Sequence, residues 1–180
     1  MHKTRSWPVF VILCCLSIVT STPFSAFASE RLQQKLLPGS QKLGSGILTY
    51  FGWSIYEASL YSNNKAFAYD HPFLLTLHYH LPVRGQKIAK QSIDEIRALG
   101  FQDEYRLAVW YAQMRNIFPD VAKGARLTGL YHPQNGAQFY HGKKLIGEIR
   151  DPDFANWFFN IWLGEKTKLP SLRRELLGHK

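Results

Sequence analysis

His78 and His80 stand two residues apart in an alternating run, and on a strand that spacing turns both imidazoles to one side. Two imidazoles so placed can share a metal ion. The competing reading is a pair of polar positions on the solvated face of a sheet. A third ligand is not evident, although His132 and His141 fall in a later alternating region, so no metal site is assigned. His71, before Pro72, and His179, near the end of the chain, read as loop and tail residues. Two arginines are placed to meet a carboxylate or phenolate: Arg84, beside Gly85, and Arg115, late in a helical pattern. Each also suits a surface or structural ion pair. Tyr50, Trp53, Tyr56, Tyr79, Trp110 and Tyr111 could line an apolar pocket whose hydroxyls orient a small ligand, or could fill the core. No Ser-His-Asp or paired-carboxylate arrangement has a local signature, and no cofactor is called for.

The elements that must position these groups follow from hydrophobic period. Residues 30–46 are mostly polar, carry Pro38, Gly39, Gly44 and Gly46, and read as a short helix or loop feeding a strand, with no buried stripe. Ile47 to Tyr61 is aromatic and β-branched and breaks at Gly52, which predicts two strands joined at a bend. Asn63-Asn64 marks a turn. From Phe73 to Leu81 the odd positions are apolar and share one face, which is the clearest strand of the chain. After Pro82 and Gly85 the period changes, and Ile88, Ala89, Ser92, Ile93, Ile96 and Leu99 form a helical stripe stopped by Gly100. A second helix starts near Asp103, carries Leu107, Trp110, Tyr111, Met114, Ile117 and Phe118, and is closed by Pro119.

Residues 126–149 return to alternation in three short runs punctuated by Asn135-Gly136 and Gly142-Lys143, the pattern of an antiparallel meander. Asp151-Pro152 is an N-cap followed by proline at the first helical position, and the helix behind it is apolar nearly all round until Gly164. That predicts a central buried helix. Pro170 opens a last short one. The order lacks βαβ alternation, so the expected class is α+β, a mainly antiparallel sheet backed by helices.

Length and charge bound the function. Of 180 residues the first 28 have a positive start (His2, Lys3, Arg5), an apolar run from Trp7 to Val19, and Ala26-Phe27-Ala28 before Ser29. This is the layout of a secretory signal peptide, so the expected domains are a leader over 1–28 and one domain over 29–180, periplasmic or secreted. Both cysteines, Cys14 and Cys15, lie in the leader, which leaves the domain without a disulfide or thiolate nucleophile. The chain is 46% apolar and 19% charged, which excludes whole-chain disorder. The formal charge of +9 falls to +7 when Lys3 and Arg5 leave with the leader. A basic surface follows, compatible with weak contact to an anionic membrane; no nucleic-acid-binding module is present.

Five stretches carry a family resemblance: Gly44-Ser45-Gly46 with Phe51 to Tyr61, Ser92 to Ile96, Ile117 to Val121, Leu127 to Tyr131, and Phe154 to Gly164. Together they resemble the chalcone isomerase-like family, in its exported bacterial branch. The resemblance implies an open-faced β-sandwich, with a large antiparallel sheet packed by helices and a ligand cleft between sheet and helices. Enzymes of that family close a flavanone ring with an early-strand arginine and with threonine and tyrosine hydroxyls around the developing oxyanion; other members bind fatty acids without catalysis. Between Gln41 and Phe51 this chain has Lys42 and no arginine, Phe51 stands near the threonine position, and no tyrosine follows Gly85 in Gln86-Lys87-Ile88. No catalytic residue is transferred. The expectation is a non-catalytic binder of a small apolar or amphipathic ligand such as a fatty acid. Its rivals are an isomerase or lyase acting on an aromatic or enone substrate, and an envelope interaction protein that works through its basic surface.

Overall fold

A computed structural model describes residues 31–179; the expected leader, with both cysteines, lies outside the described residues. A helical segment over residues 31–36 precedes strands β1 (Gln41–Tyr50), β2 (Trp53–Ser62) and β3 (Phe73–Tyr79). Helices α1 (Gly85–Ala98) and α2 (Glu104–Ile117) follow, then β4 (Arg126–His132), β5 (Gly136–His141) and β6 (Lys144–Ile149). The chain closes with α3 (Pro152–Leu163) and α4 (Pro170–Leu176). All six strands form one antiparallel sheet in chain order, β1 through β6. The α+β expectation holds, and the two α helices after β3 are an excursion that returns the chain to the same sheet edge position beside β3.

The helix-facing side of the sheet is built by alternation. Tyr56, Ala58 and Leu60 on β2 pair with Tyr79, Leu77 and Leu75 on β3, and all six are buried. Against them lies α3, whose Phe154, Phe158, Phe159, Ile161, Trp162 and Leu163 are buried, so its apolar circumference has partners on several sides, as its sequence requires. Phe158 makes ring contacts with Phe118, Phe139, Phe154, Phe159 and Trp162 at centroid distances of 5.2–6.3 Å, within the spacing of edge-on and offset aromatic pairs. The layer between sheet and helices is therefore filled by side chains.

Two local features fix the ends of this arrangement. Asp151 caps α3, accepting from the amides of Asp153 and Phe154 at 2.9 and 3.1 Å. Gly44 lets β1 approach α4, since a Cβ there would lie 2.0 Å from the Glu175 carbonyl oxygen. The segment before β1 departs from expectation: Gln33, Leu37 and Ser40 are buried, because residues 31–40 lie over the sheet face opposite the helices. Gln33, Leu37 and Ser40 fall at helical spacing, but two of the three are polar, so hydrophobic period does not reveal their burial.

Candidate functional site

Cross-strand register decides what that opposite face carries. Glu57 on β2 sits across from His78 on β3, and His78 sits across from Arg126 on β4. One pair further along, Ser59 faces Thr76 and Thr76 faces Thr128, with the two threonine hydroxyls 3.0 Å apart. Directly opposite residues of an antiparallel pair point to the same face, so a charged row lies beside a hydroxyl row. Lys42 on β1 pairs with Tyr61 on β2, its ammonium 5.8 Å from the ring centroid.

These rows floor a cleft of about 420 Å³. Gln33, Gln34 and Ser40 wall it from the segment before β1, and Lys42, Glu57, Ser59, Tyr61, Thr76, His78 and Arg126 line it from four strands. The Ser40 hydroxyl is buried and has no hydrogen-bond partner among the described residues, whereas buried polar atoms are nearly always paired. Gln34 holds the wall in place by donating to the Ser40 carbonyl at 2.9 Å. Burial lowers the pKa of His78, and the positive charge of Arg126 and the neighbouring His80 lower it further, against a smaller opposing effect of Glu57. His78 is therefore neutral at pH 7 and offers one donor and one acceptor. The set can hold an anion or a polar head between a guanidinium, an ammonium and several hydroxyls.

The residues singled out in the sequence are dispersed by the fold. Tyr56 and Tyr79 are core residues with rings 5.7 Å apart, and Trp162 donates its indole N–H to the Tyr56 hydroxyl at 2.9 Å. Burial pushes the Tyr56 phenol up to about 12 and raises that of Tyr79 as well. Trp110 is buried and donates to Asp151 at 2.9 Å. Tyr111 is half-buried, with the exposed Arg115 guanidinium 5.8 Å from its ring centroid. Arg84 is exposed at the start of α1, and Tyr50 and Trp53 are exposed at the β1–β2 turn. None of these eight lines the cleft.

Of the histidines, His78 and His80 do face each other at 5.4 Å between centroids, but His132 pairs with Gly136 at the far end of β4 and His141 pairs with Leu127, a core position. Among the described residues no group of three or more His, Cys, Asp and Glu could hold a metal ion. The cleft residues that sequence reasoning passed over had a signal: Glu57, Ser59 and Tyr61 recur at period two on the side of β2 away from its buried Tyr56, Ala58 and Leu60.

The fold defines the class of protein, an open antiparallel meander with its long helices on one face. The family model described as chalcone isomerase-like matches residues 30–178, and the chain belongs to that family. No curated protein matches the sequence. Among solved structures the fold is similar to the crystal structure of a fatty-acid binding protein from Arabidopsis thaliana, with a TM-score of 0.60 and 9% identity over 78% of this chain and 87% of the other. The resemblance placed a cleft between sheet and helices; the cleft described above lies on the other side of the sheet.

Proposed function

We propose that the protein binds a small amphipathic carboxylate of the fatty-acid type without transforming it, and that it works outside the cytoplasm after loss of its leader. The observation that carries this reading is the buried, unpartnered Ser40 hydroxyl, which lines the cleft together with Lys42 and Arg126. Hydroxyl, ammonium and guanidinium can all donate to a ligand carboxylate, and the two cations outnumber the one acid, Glu57, that shares the cleft. The cleft volume of about 420 Å³ lies within the size range of small-molecule sites.

Binding without chemistry is supported by the state of the tyrosines. The Tyr56 hydroxyl is held protonated by burial and accepts from Trp162, and the Tyr131 and Tyr69 hydroxyls donate to Asn156 and Asn160, each at 2.7 Å. Tyr69 and Tyr131 thus spend their hydroxyl protons within the protein, and Tyr56, whose O–H remains, lies on the helix side of the sheet, away from the cleft. The family membership and the fatty-acid binding protein of the same fold support the ligand class. The positive start, apolar run and Ala26-Phe27-Ala28 support export.

The test is calorimetric titration of residues 29–180, which hold every described element, with palmitate, followed by mass analysis of the recovered ligand. Saturable binding of an unchanged ligand that weakens about tenfold in Arg126→Ala, the cost of a charge-assisted hydrogen bond, is expected. Equal binding by Arg126→Ala, or a chemically altered ligand, overturns the proposal. Export is checked by fractionation: a mature chain starting at Ser29 in the exported fraction is expected, and a full-length chain confined to the cytoplasm refutes it.

A further inference from the structure

The β1–β2 turn holds three large aromatic side chains in water: Tyr50 is 66%, Phe51 85% and Trp53 65% exposed. Tyr50 and Trp53 are the last cross-strand pair before the turn, and the Phe51 ring packs edge-on against Tyr50 at 4.5 Å, so the three form one projecting cluster. Ile47, 53% exposed, extends it along β1. The turn is not shaped for folding alone. Phe51 has φ 46° and Gly52 φ 79°, a left-handed pair that Asn-Gly adopts with less strain than Phe-Gly.

Most of the exposed charges on the segments that join the strands beside this cluster are positive. In a six-stranded meander the β1–β2 turn, the β3–α1 connection, the segment entering β4 and the β5–β6 turn all fall at one end of the sheet. These bring exposed Arg84, Lys123, Lys143 and Lys144 to that end. Of the acids nearest these segments, Asp120 accepts from the Gly85 amide at 2.8 Å and Glu57 lies in the cleft. The opposite end mixes signs, with Lys65 and Arg150 beside Asp70, Asp151 and Asp153.

We propose that this end of the sheet docks on an anionic lipid bilayer, with Tyr50-Phe51-Gly52-Trp53 inserted at headgroup depth and the four cations on the lipid surface. Tyrosine and tryptophan have an apolar body and a polar tip, which suits them to the boundary between acyl chains and water. Lysine and arginine held near an anionic leaflet each strengthen attraction to it. The cluster and the cations lie at one end of the same sheet, so a flat surface can meet both.

The test is co-sedimentation of residues 29–180 with vesicles of equimolar phosphatidylglycerol and phosphatidylcholine, compared with pure phosphatidylcholine. Binding to the anionic vesicles that weakens with salt is expected. Phe51→Asn with Trp53→Thr, chosen to suit the turn and strand so that the fold survives, should lower partitioning about tenfold through lost apolar burial. Lys143→Gln and Lys144→Gln should each lower it about fivefold. Failure of the parent chain to sediment, or sedimentation of the aromatic double variant equal to the parent's, overturns the proposal. So does a parent chain that dimerises through the turn, seen as a halved mass in the double variant with vesicle binding unchanged.

Discussion

Trp110 donates its indole N–H to the Asp151 carboxylate at 2.9 Å, and the same carboxylate caps α3 and accepts from Arg106 at 3.0 Å. The Arg106 guanidinium lies 4.8 Å from the Trp110 ring centroid and also reaches Asp153 at 3.0 Å. A tryptophan that its sequence context offered as a pocket residue thus ties α2 to the first turn of the helix at the centre of the core. Trp110→Phe keeps most of the apolar volume and removes the donor. A loss of about 1–2 kcal/mol is expected from urea denaturation.

Asp151 also sets a pH dependence. Burial opposes its ionisation, but hydrogen bonds from Trp110, the Phe154 amide and Arg106 outweigh that and hold its pKa below the ordinary 3.8. A carboxyl depressed in the folded state stabilises the fold at every pH above its unfolded pKa, and that contribution is lost as pH falls through the folded value. Asp151→Asn should therefore lower stability at pH 7 and flatten the acid limb of the stability curve below about pH 4. Thermal melts across that range check it; parallel acid limbs in parent and variant would count against the assignment.

Gly44→Ala should undock α4 from β1. The added Cβ would meet the Glu175 carbonyl at 2.0 Å and the Leu176 carbonyl at 2.6 Å, both backbone atoms that cannot rotate away. A loss of about 1–3 kcal/mol is expected for forcing extra volume into this contact. Limited proteolysis should then cut first in the last ten residues.

Phe51→Gly should act in the opposite sense. With φ 46° and a side chain 85% exposed, Phe51 loses little packing on replacement and gains relief from left-handed strain. A gain of about 1 kcal/mol in stability is expected by thermal denaturation. If the melt falls instead, the ring is needed for the fold rather than for what it meets outside.

The cleft should bind anions better in acid. His78 is neutral at pH 7 and gains a positive charge as pH falls below its ordinary 6.5 and through its lowered value. A bound carboxylate favours that charge, so by linkage the affinity for palmitate should rise as pH is lowered through this window. His78→Gln should abolish the rise. An affinity that is flat in pH for the parent chain would remove His78 from the site.

Much of the fold was legible because it rests on local pattern. The alternation of Phe73 to Tyr79, the Asp151-Pro152 cap and the all-round apolar character of Phe154 to Leu163 specify strand, helix start and buried helix by period and cap chemistry alone, and the antiparallel class follows from their order. The cleft was not legible in that way. Its floor is assembled from Lys42, Glu57, Ser59, Thr76, His78 and Arg126, which lie on four strands and meet only through cross-strand register. Its wall depends on Ser40, buried by a segment whose sequence shows no apolar stripe. Nor could sequence separate the aromatics: Tyr56 and Trp110 bury their rings, while Tyr50 and Trp53 end a hairpin in solvent. Period reports which residues share an element's face. What that face then meets is decided by packing between distant segments, and only the tertiary structure holds that information.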